Sequence, residues 1–186
     1  MGPDERQLME RWQRGDPAAF EELVRRWQPV VARLLGRLVT RREEVSDLCQ
    51  EVFVRVYHAR ERYRENGAFA GWLYRIALNV SRDAERHHRR EPASLQGQEP
   101  AARASAADEV CEQRELTAAV MQALAELPES LRVVLVLHHY EKLNFEQIAR
   151  LTDTPASTVK SRFAAALGRL RVRLQQLGWG PEESET

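Results

Sequence analysis

Apolar positions along the chain recur at helical intervals. Phe20, Leu23, Val24, Trp27, Val30, Val31, Leu34 and Leu35 follow an i, i+3, i+4, i+7 rhythm, and Pro29 within it predicts a bend or a division. Val45, Leu48, Val52 and Val56 form a second stripe, and Phe69, Leu73, Ile76, Ala77 and Val80 a third. The rhythm then stops. From Glu91 to Glu109 the chain is rich in Ala, Ser, Gln, Pro and Glu with Leu95 as its one large aliphatic residue, which predicts a flexible linker. Periodicity resumes at Leu116, Val120, Leu124 and Leu127, and Pro128 should end that helix. The run LRVVLVLHHY fits a buried strand or a buried helix, and its helical neighbours favour helix. The pattern predicts an all-α chain of two small helical domains, residues 1–90 and 112–178. A linker over 91–111 joins them, and a short acidic tail covers 179–186.

Length and composition agree with this division. The chain has 186 residues, 43% hydrophobic and 30% charged, enough for two small soluble domains. The longest uninterrupted apolar run, Val133 to Leu137, is five residues, so nothing predicts a membrane span, and the mixed-charge N-terminus is not a secretory signal. Cys49 and Cys111 stand far apart and in no metal-ligand spacing, which points to a reducing, cytoplasmic setting with neither metal nor cofactor.

Charge changes the picture more. Acids and bases balance at 28 each, but not locally. Arg75 to Arg90 holds five Arg against Asp83 and Glu85, and Thr154 to Leu174 holds five Lys or Arg and no acid. The stretch between them, Glu91 to Glu129, carries eight acids and two Arg. Two basic blocks separated by an acidic one suggest two contacts with a polyanion.

The C-terminal block has the grammar of a helix-turn-helix. Asn144 is an N-cap residue with Gln147 placed to complete a capping box, and Phe145, Ile148, Ala149 and Leu151 supply an inner face. Asp153 stands at the turn, where positive φ is often needed, and Thr154 is placed to cap a second helix with Pro155 at its first position. In that helix Val159, Phe163, Ala166, Leu170 and Leu174 line one side, while Ser157, Lys160, Ser161 and Ala164 face away. Short polar residues and a Lys at the leading end, with Arg beyond, suit a helix that enters a DNA groove and grips phosphates.

The other basic block has its own face. Arg75, Asn79, Arg82 and Arg86 fall at i, i+4, i+7 and i+11, with Trp72 one turn before them. A Gly-bracketed loop with Phe69 and Trp72, leading into this face, suits single-stranded nucleic acid. Phe69 reads more as core, whereas Trp72 reads equally as core or as a base-stacking group. Upstream, Asp47, Gln50 and Glu51 cluster away from the Val45, Leu48, Val52 and Val56 stripe. An acidic face does not bind DNA; it suits a basic protein partner or plain solvation.

Together these segments resemble the bacterial sigma factors of the extracytoplasmic-function group. VSDLCQEVFVRVYHARERY is similar to the family's core-polymerase-binding segment, and FAGWLYRIALNVSRDAERHHRR to its −10 melting and recognition segment. LPESLRVVLVLHHYEKLNFEQIARLTDTPASTVKSRF is similar to region 4. The resemblance implies a region 2 helical bundle, a linker and a region 4 helix-turn-helix, acting as a promoter-specificity subunit and not as an enzyme. It implies that Asp47, Gln50 and Glu51 dock on the clamp helices of the RNA polymerase β′ subunit. It also implies that Asn79 and the loop before Trp72 handle a flipped −10 base, beside the Arg75, Arg82 and Arg86 face. Ser157, Thr158, Lys160, Ser161 and Arg162 are implied at the −35 major groove, and an inhibitory anti-sigma partner is implied as well. The sequence departs from the family after Arg162, where Phe163, Ala164, Ala165 and Ala166 replace a usual basic run.

Two other readings of the residues stand beside this one. A free-standing helix-turn-helix regulator would bind a palindrome as a dimer, but it needs neither the acidic face nor the aromatic-Arg segment. A metalloenzyme or metal sensor built on His58, His87, His88, His138, His139 and the two cysteines lacks zinc-ligand spacing.

Overall fold

A computed structural model describes residues 4–63, 69–90 and 108–179, and among them the secondary structure is helical throughout. The helices are α1 (Glu5–Gln13), α2 (Pro17–Leu38), α3 (Val45–His58), α4 (Phe69–Arg90), α5 (Asp108–Glu126), α6 (Glu129–His139), α7 (Phe145–Thr152) and α8 (Ala156–Gln176). They form two compact units, one centred on α1–α4 and one on α5–α8. Up to residue 107 the expected linker lies outside the described residues, as does the tail from residue 180.

In the first unit α1 buries Leu8, Met9 and Trp12, one turn of spacing that turns a single face inward. Gly15, at φ 94°, reverses the chain in the left-handed region that glycine enters without steric cost. Asp16 then caps α2, its carboxylate accepting from Ala18 N–H at 3.0 Å with Pro17 next in line. The Arg11 guanidinium lies 2.7 Å from the same carboxylate and holds it below the ordinary carboxyl pKa.

Pro29 does not divide α2. The helix runs through it from Pro17 to Leu38 because Leu23, Val31, Leu34, Leu35 and Leu38 stay in phase and fully buried. Burial of five such side chains, about 1.5–3 kcal/mol each, outweighs the roughly 3 kcal/mol that an interior proline costs. The α3 stripe is rotated from its expected position. Cys49, Val52, Phe53 and Val56 are buried, while Val45 and Leu48 are only half-buried.

On α4 the buried set is Phe69, Leu73, Tyr74, Ala77, Leu78, Val80, Ser81 and Glu85. Phe69 is core, as expected, but it opens the helix and is not part of a loop. The remainder of the Gly-bracketed loop, residues 64–68, lies outside the described residues. Glu85 is a buried acid with assigned work: its Oε1 accepts from Thr40 N–H at 2.9 Å and from Thr40 Oγ1 at 3.0 Å. That bond ties the segment after α2 to α4.

In the second unit Leu124, Leu127, Leu131, Leu135 and Ala166 form a core joined by Val120, Met121, Tyr140, Phe163 and Leu170. LRVVLVLHHY is helical, as expected, and Leu131 to Leu137 are all buried. Arg132 is among them; its Nη1 donates to Ala125 O at 2.9 Å, occupying a carbonyl that the end of α5 leaves free.

The capping box closes reciprocally at the start of α7. Gln147 N–H donates to Asn144 Oδ1 at 2.8 Å, and Asn144 N–H donates to Gln147 Oε1 at 2.8 Å. Replacing Asn144 with Ala should lower unfolding free energy by about 1 kcal/mol in urea titration. Asp153 adopts φ 50°, as its place at the turn predicted. The expected Thr154 cap is displaced by one residue: Pro155 occupies the N-cap at ψ 140°, and α8 begins at Ala156. Proline, whose ring holds φ at about −65° and which has no backbone N–H to satisfy, fits just outside the first turn.

Candidate functional site

The leading end of α8 is built on one buried anchor. Val159 is fully enclosed, as is Ile148 on α7. Phe163 lies 5.6 Å from Phe145, and His138 stacks on Phe145 at 4.5 Å while its Nδ1 sits 2.8 Å from Leu143 O. With that side fixed, Ser157, Lys160 and Ser161 are exposed together, followed by Ala164. Thr158 and Arg162 are half-buried on the flank. Arg162 Nη1 reaches Thr154 Oγ1 at 3.5 Å, and Ser161 Oγ donates to Thr158 O at 2.9 Å. Lys160 Nζ stands 5.9 Å from the Phe145 ring centre, a cation–π distance that leaves its charge at the surface. This end of α8 can offer two hydroxyls, an ammonium and a guanidinium to one groove.

The α4 face is as expected in direction. Arg75, Asn79 and Arg86 are exposed and Arg82 is half-buried. Trp72 is half-buried, with Tyr63 edge-on to its ring at 5.1 Å and Phe69 tilted against it at 5.7 Å. Its inner part belongs to the aromatic core, and its outer part remains beside the Arg face. Periodicity alone overlooked Asp83, which sits within this basic stripe and pairs with Arg86. A hydrogen bond from Arg55 holds the Asp83 carboxyl below its ordinary pKa, with Arg86 adding to the effect.

On α3, Asp47 and Gln50 are exposed, whereas Glu51 is half-buried and bound by Arg55 Nε at 2.7 Å. Beside them lies an apolar groove of about 490 Å³ whose walls include Phe20, Val24, Phe53, Val54 and Tyr57, with Gln50 at its edge. Val54 is 48% exposed and Tyr57 46%, unusual for large apolar groups. The sequence reading missed both, since it took this surface as acidic only. Val54 stands four residues from Gln50 and Tyr57 three further on, so the face was present in the spacing. Cys49 forms the groove floor; its thiol donates to Gln28 O at 3.8 Å, and burial pushes its pKa up, toward an inert side chain.

Residues 23–91 match the sigma-70 region 2 family, and residues 117–170 match sigma-70 region 4. The chain is 34% identical over 183 residues to the RNA polymerase sigma-H factor of Pseudomonas aeruginosa, covering 93% of this chain and 95% of the relative. It is also 34% identical over 180 residues to the ECF RNA polymerase sigma-E factor of Escherichia coli K12, covering 91% and 94%. The chain belongs to the sigma-70 family, in its extracytoplasmic-function group. It is therefore a sigma factor, a subunit that directs RNA polymerase to promoters for transcription initiation.

Two solved structures share the fold of this sigma factor. CnrH, in complex with the cytosolic domain of CnrY, aligns with a TM-score of 0.70 at 23% identity, covering 92% of this chain and 97% of CnrH. The sigma factor RpoE of Bartonella quintana, in complex with the anti-sigma factor NepR, aligns with a TM-score of 0.68 at 18% identity, covering 84% and 96%. No helix among the described residues of the sigma factor is long and apolar enough to cross a membrane.

Proposed function

We propose that three surfaces of this sigma factor divide the work of initiation. Ser157, Thr158, Lys160, Ser161 and Arg162 enter the −35 major groove, where Lys160 and Arg162 supply phosphate and base-edge contacts. Trp72, Arg75, Asn79, Arg82 and Arg86 receive the melted −10 strand, with guanidinium groups along the backbone and Trp72 beside the bases. Asp47, Gln50 and Glu51 dock on the β′ clamp helices of core polymerase, and the apolar groove beside Gln50 takes part of that contact.

The observation that carries this reading is the leading end of α8. A fully buried Val159 and a half-buried Phe163 fix the helix, and Ser157, Lys160 and Ser161 stand clear of the protein on the opposite side. The reading includes an anti-sigma partner, because the sigma factor RpoE, which shares the fold, is found in complex with the anti-sigma factor NepR. It also places the factor in the cytoplasm with polymerase, acting as a binding subunit with no reaction, metal or cofactor of its own.

Replacing Lys160 and Arg162 together with Ala tests the −35 assignment. Transcription from −35-dependent promoters should fall about tenfold or more, and the salt dependence of promoter binding should flatten by about one counterion for each lost phosphate contact. Co-elution with core polymerase should be unchanged. Loss of core binding in this variant would overturn the division of labour.

A further inference from the structure

Four side chains of the first unit form an unbroken series of alternating charges across α3 and α4. Glu51 Oε1 accepts from Arg55 Nε at 2.7 Å, and Arg55 Nη1 donates to Asp83 Oδ2 at 2.8 Å. The other oxygen of Asp83, Oδ1, accepts from Arg86 Nη2. The two ends of the series lie on different surfaces. Glu51 belongs to the α3 face assigned above to polymerase, and Arg86 to the α4 face assigned to −10 DNA.

We propose that Arg55 is a positioning residue that couples polymerase docking to −10 DNA contact. The proposal rests on the assignment of those two surfaces given above. When a basic group of polymerase occupies Glu51, Arg55 is left wholly to Asp83, and Asp83 releases Arg86 to a phosphate.

The geometry supports such an exchange because every internal link is shared. Arg55 spends two separate donors on two carboxylates, and Asp83 spends its two oxygens on two guanidinium groups. Strengthening one link therefore weakens the next. The side chains are 39% (Arg55), 45% (Glu51), 43% (Asp83) and 63% (Arg86) exposed, so water can replace each partner and no link is locked. Asp83, kept ionised by Arg55 and Arg86, competes with phosphate for Arg86 in the free protein. Thermodynamic linkage makes the effect reciprocal: a phosphate on Arg86 returns Asp83 to Arg55 and frees Glu51 for its partner.

The test measures binding of the full-length chain to a short labelled single-stranded DNA of mixed sequence at low salt. Glu51→Gln stands in for a Glu51 already occupied by polymerase. It should tighten oligonucleotide binding about threefold, the scale of one exposed ion pair. In an Arg55→Gln background the gain should shrink to the small effect of removing one distant negative charge. Asp83→Asn, which spares Arg55, should bind more tightly from the outset and respond no further to Glu51→Gln than the Arg55→Gln chain does. Equal gains in all three backgrounds would overturn the coupling while leaving the surface assignments standing. Oligonucleotide binding unchanged by Arg86→Ala would overturn both the coupling and the DNA assignment at its end.

Discussion

Asp47→Arg combined with Glu51→Arg is expected to abolish stoichiometric co-elution of this sigma factor with core RNA polymerase on a sizing column. Each carboxylate reversed loses an attractive pair and gains a repulsion, and unfavourable charge juxtaposition at an interface costs several kcal/mol. Two such changes exceed about 5 kcal/mol, more than a thousandfold in affinity. The fold should survive. Asp47 is exposed, and the Glu51–Arg55 pair is half-exposed, where an ion pair contributes about 1 kcal/mol or less. Helical content by circular dichroism should therefore match that of the parent chain. Assembly that persists in the double variant would move the docking surface away from α3's acidic residues and onto the apolar groove or another element.

Most of the helices and their order were legible from spacing, because two-domain helical packing makes apolar periodicity and burial nearly the same quantity; α1, whose buried Leu8, Met9 and Trp12 span a single turn, was not read. The α7 cap and the positive φ of Asp153 follow from local rules, and the helical state of LRVVLVLHHY from its helical neighbours. What escaped was decided by contacts between segments distant in the chain. Pro29 reads locally as a breaker, yet the phase of Leu23, Val31 and Leu34 carries the helix through it. Glu85 and Arg132 carry no local sign of burial; each is buried where a backbone group elsewhere, Thr40 N–H or Ala125 O, takes it as a partner. The same holds at the surfaces. Glu51 and Arg55 stand four residues apart and their pairing could be read directly, whereas Arg55 to Asp83 spans α3 and α4 and becomes visible only when those helices are packed. The exposed polar face at the leading end of α8 was legible because it sits on one helix, and one helix has one period.

That same dependence on distant packing sets the second large effect. Helix α7 has eight residues, too short to hold itself in water, so its position rests on its cap and on the side chains it buries. Ile148 is completely enclosed, and Leu151 is its buried neighbour one turn on. Ile148→Ala should cost about 2–5 kcal/mol through lost transfer energy and the cavity left behind, whereas Ile148→Val should cost about 0.5–1.5 kcal/mol. A small helical unit has only about 5 kcal/mol to lose, so the Ala variant should largely release α7 and the presentation of α8 with it. Two measurements follow from this. Urea titration should show the graded loss, Ala well beyond Val. Transcription from −35-dependent promoters should collapse in the Ala variant and persist in the Val variant, while co-elution with core polymerase survives in both. A drop in −35-dependent transcription as large for Val as for Ala would mean that Ile148 acts through something other than the packing of α7.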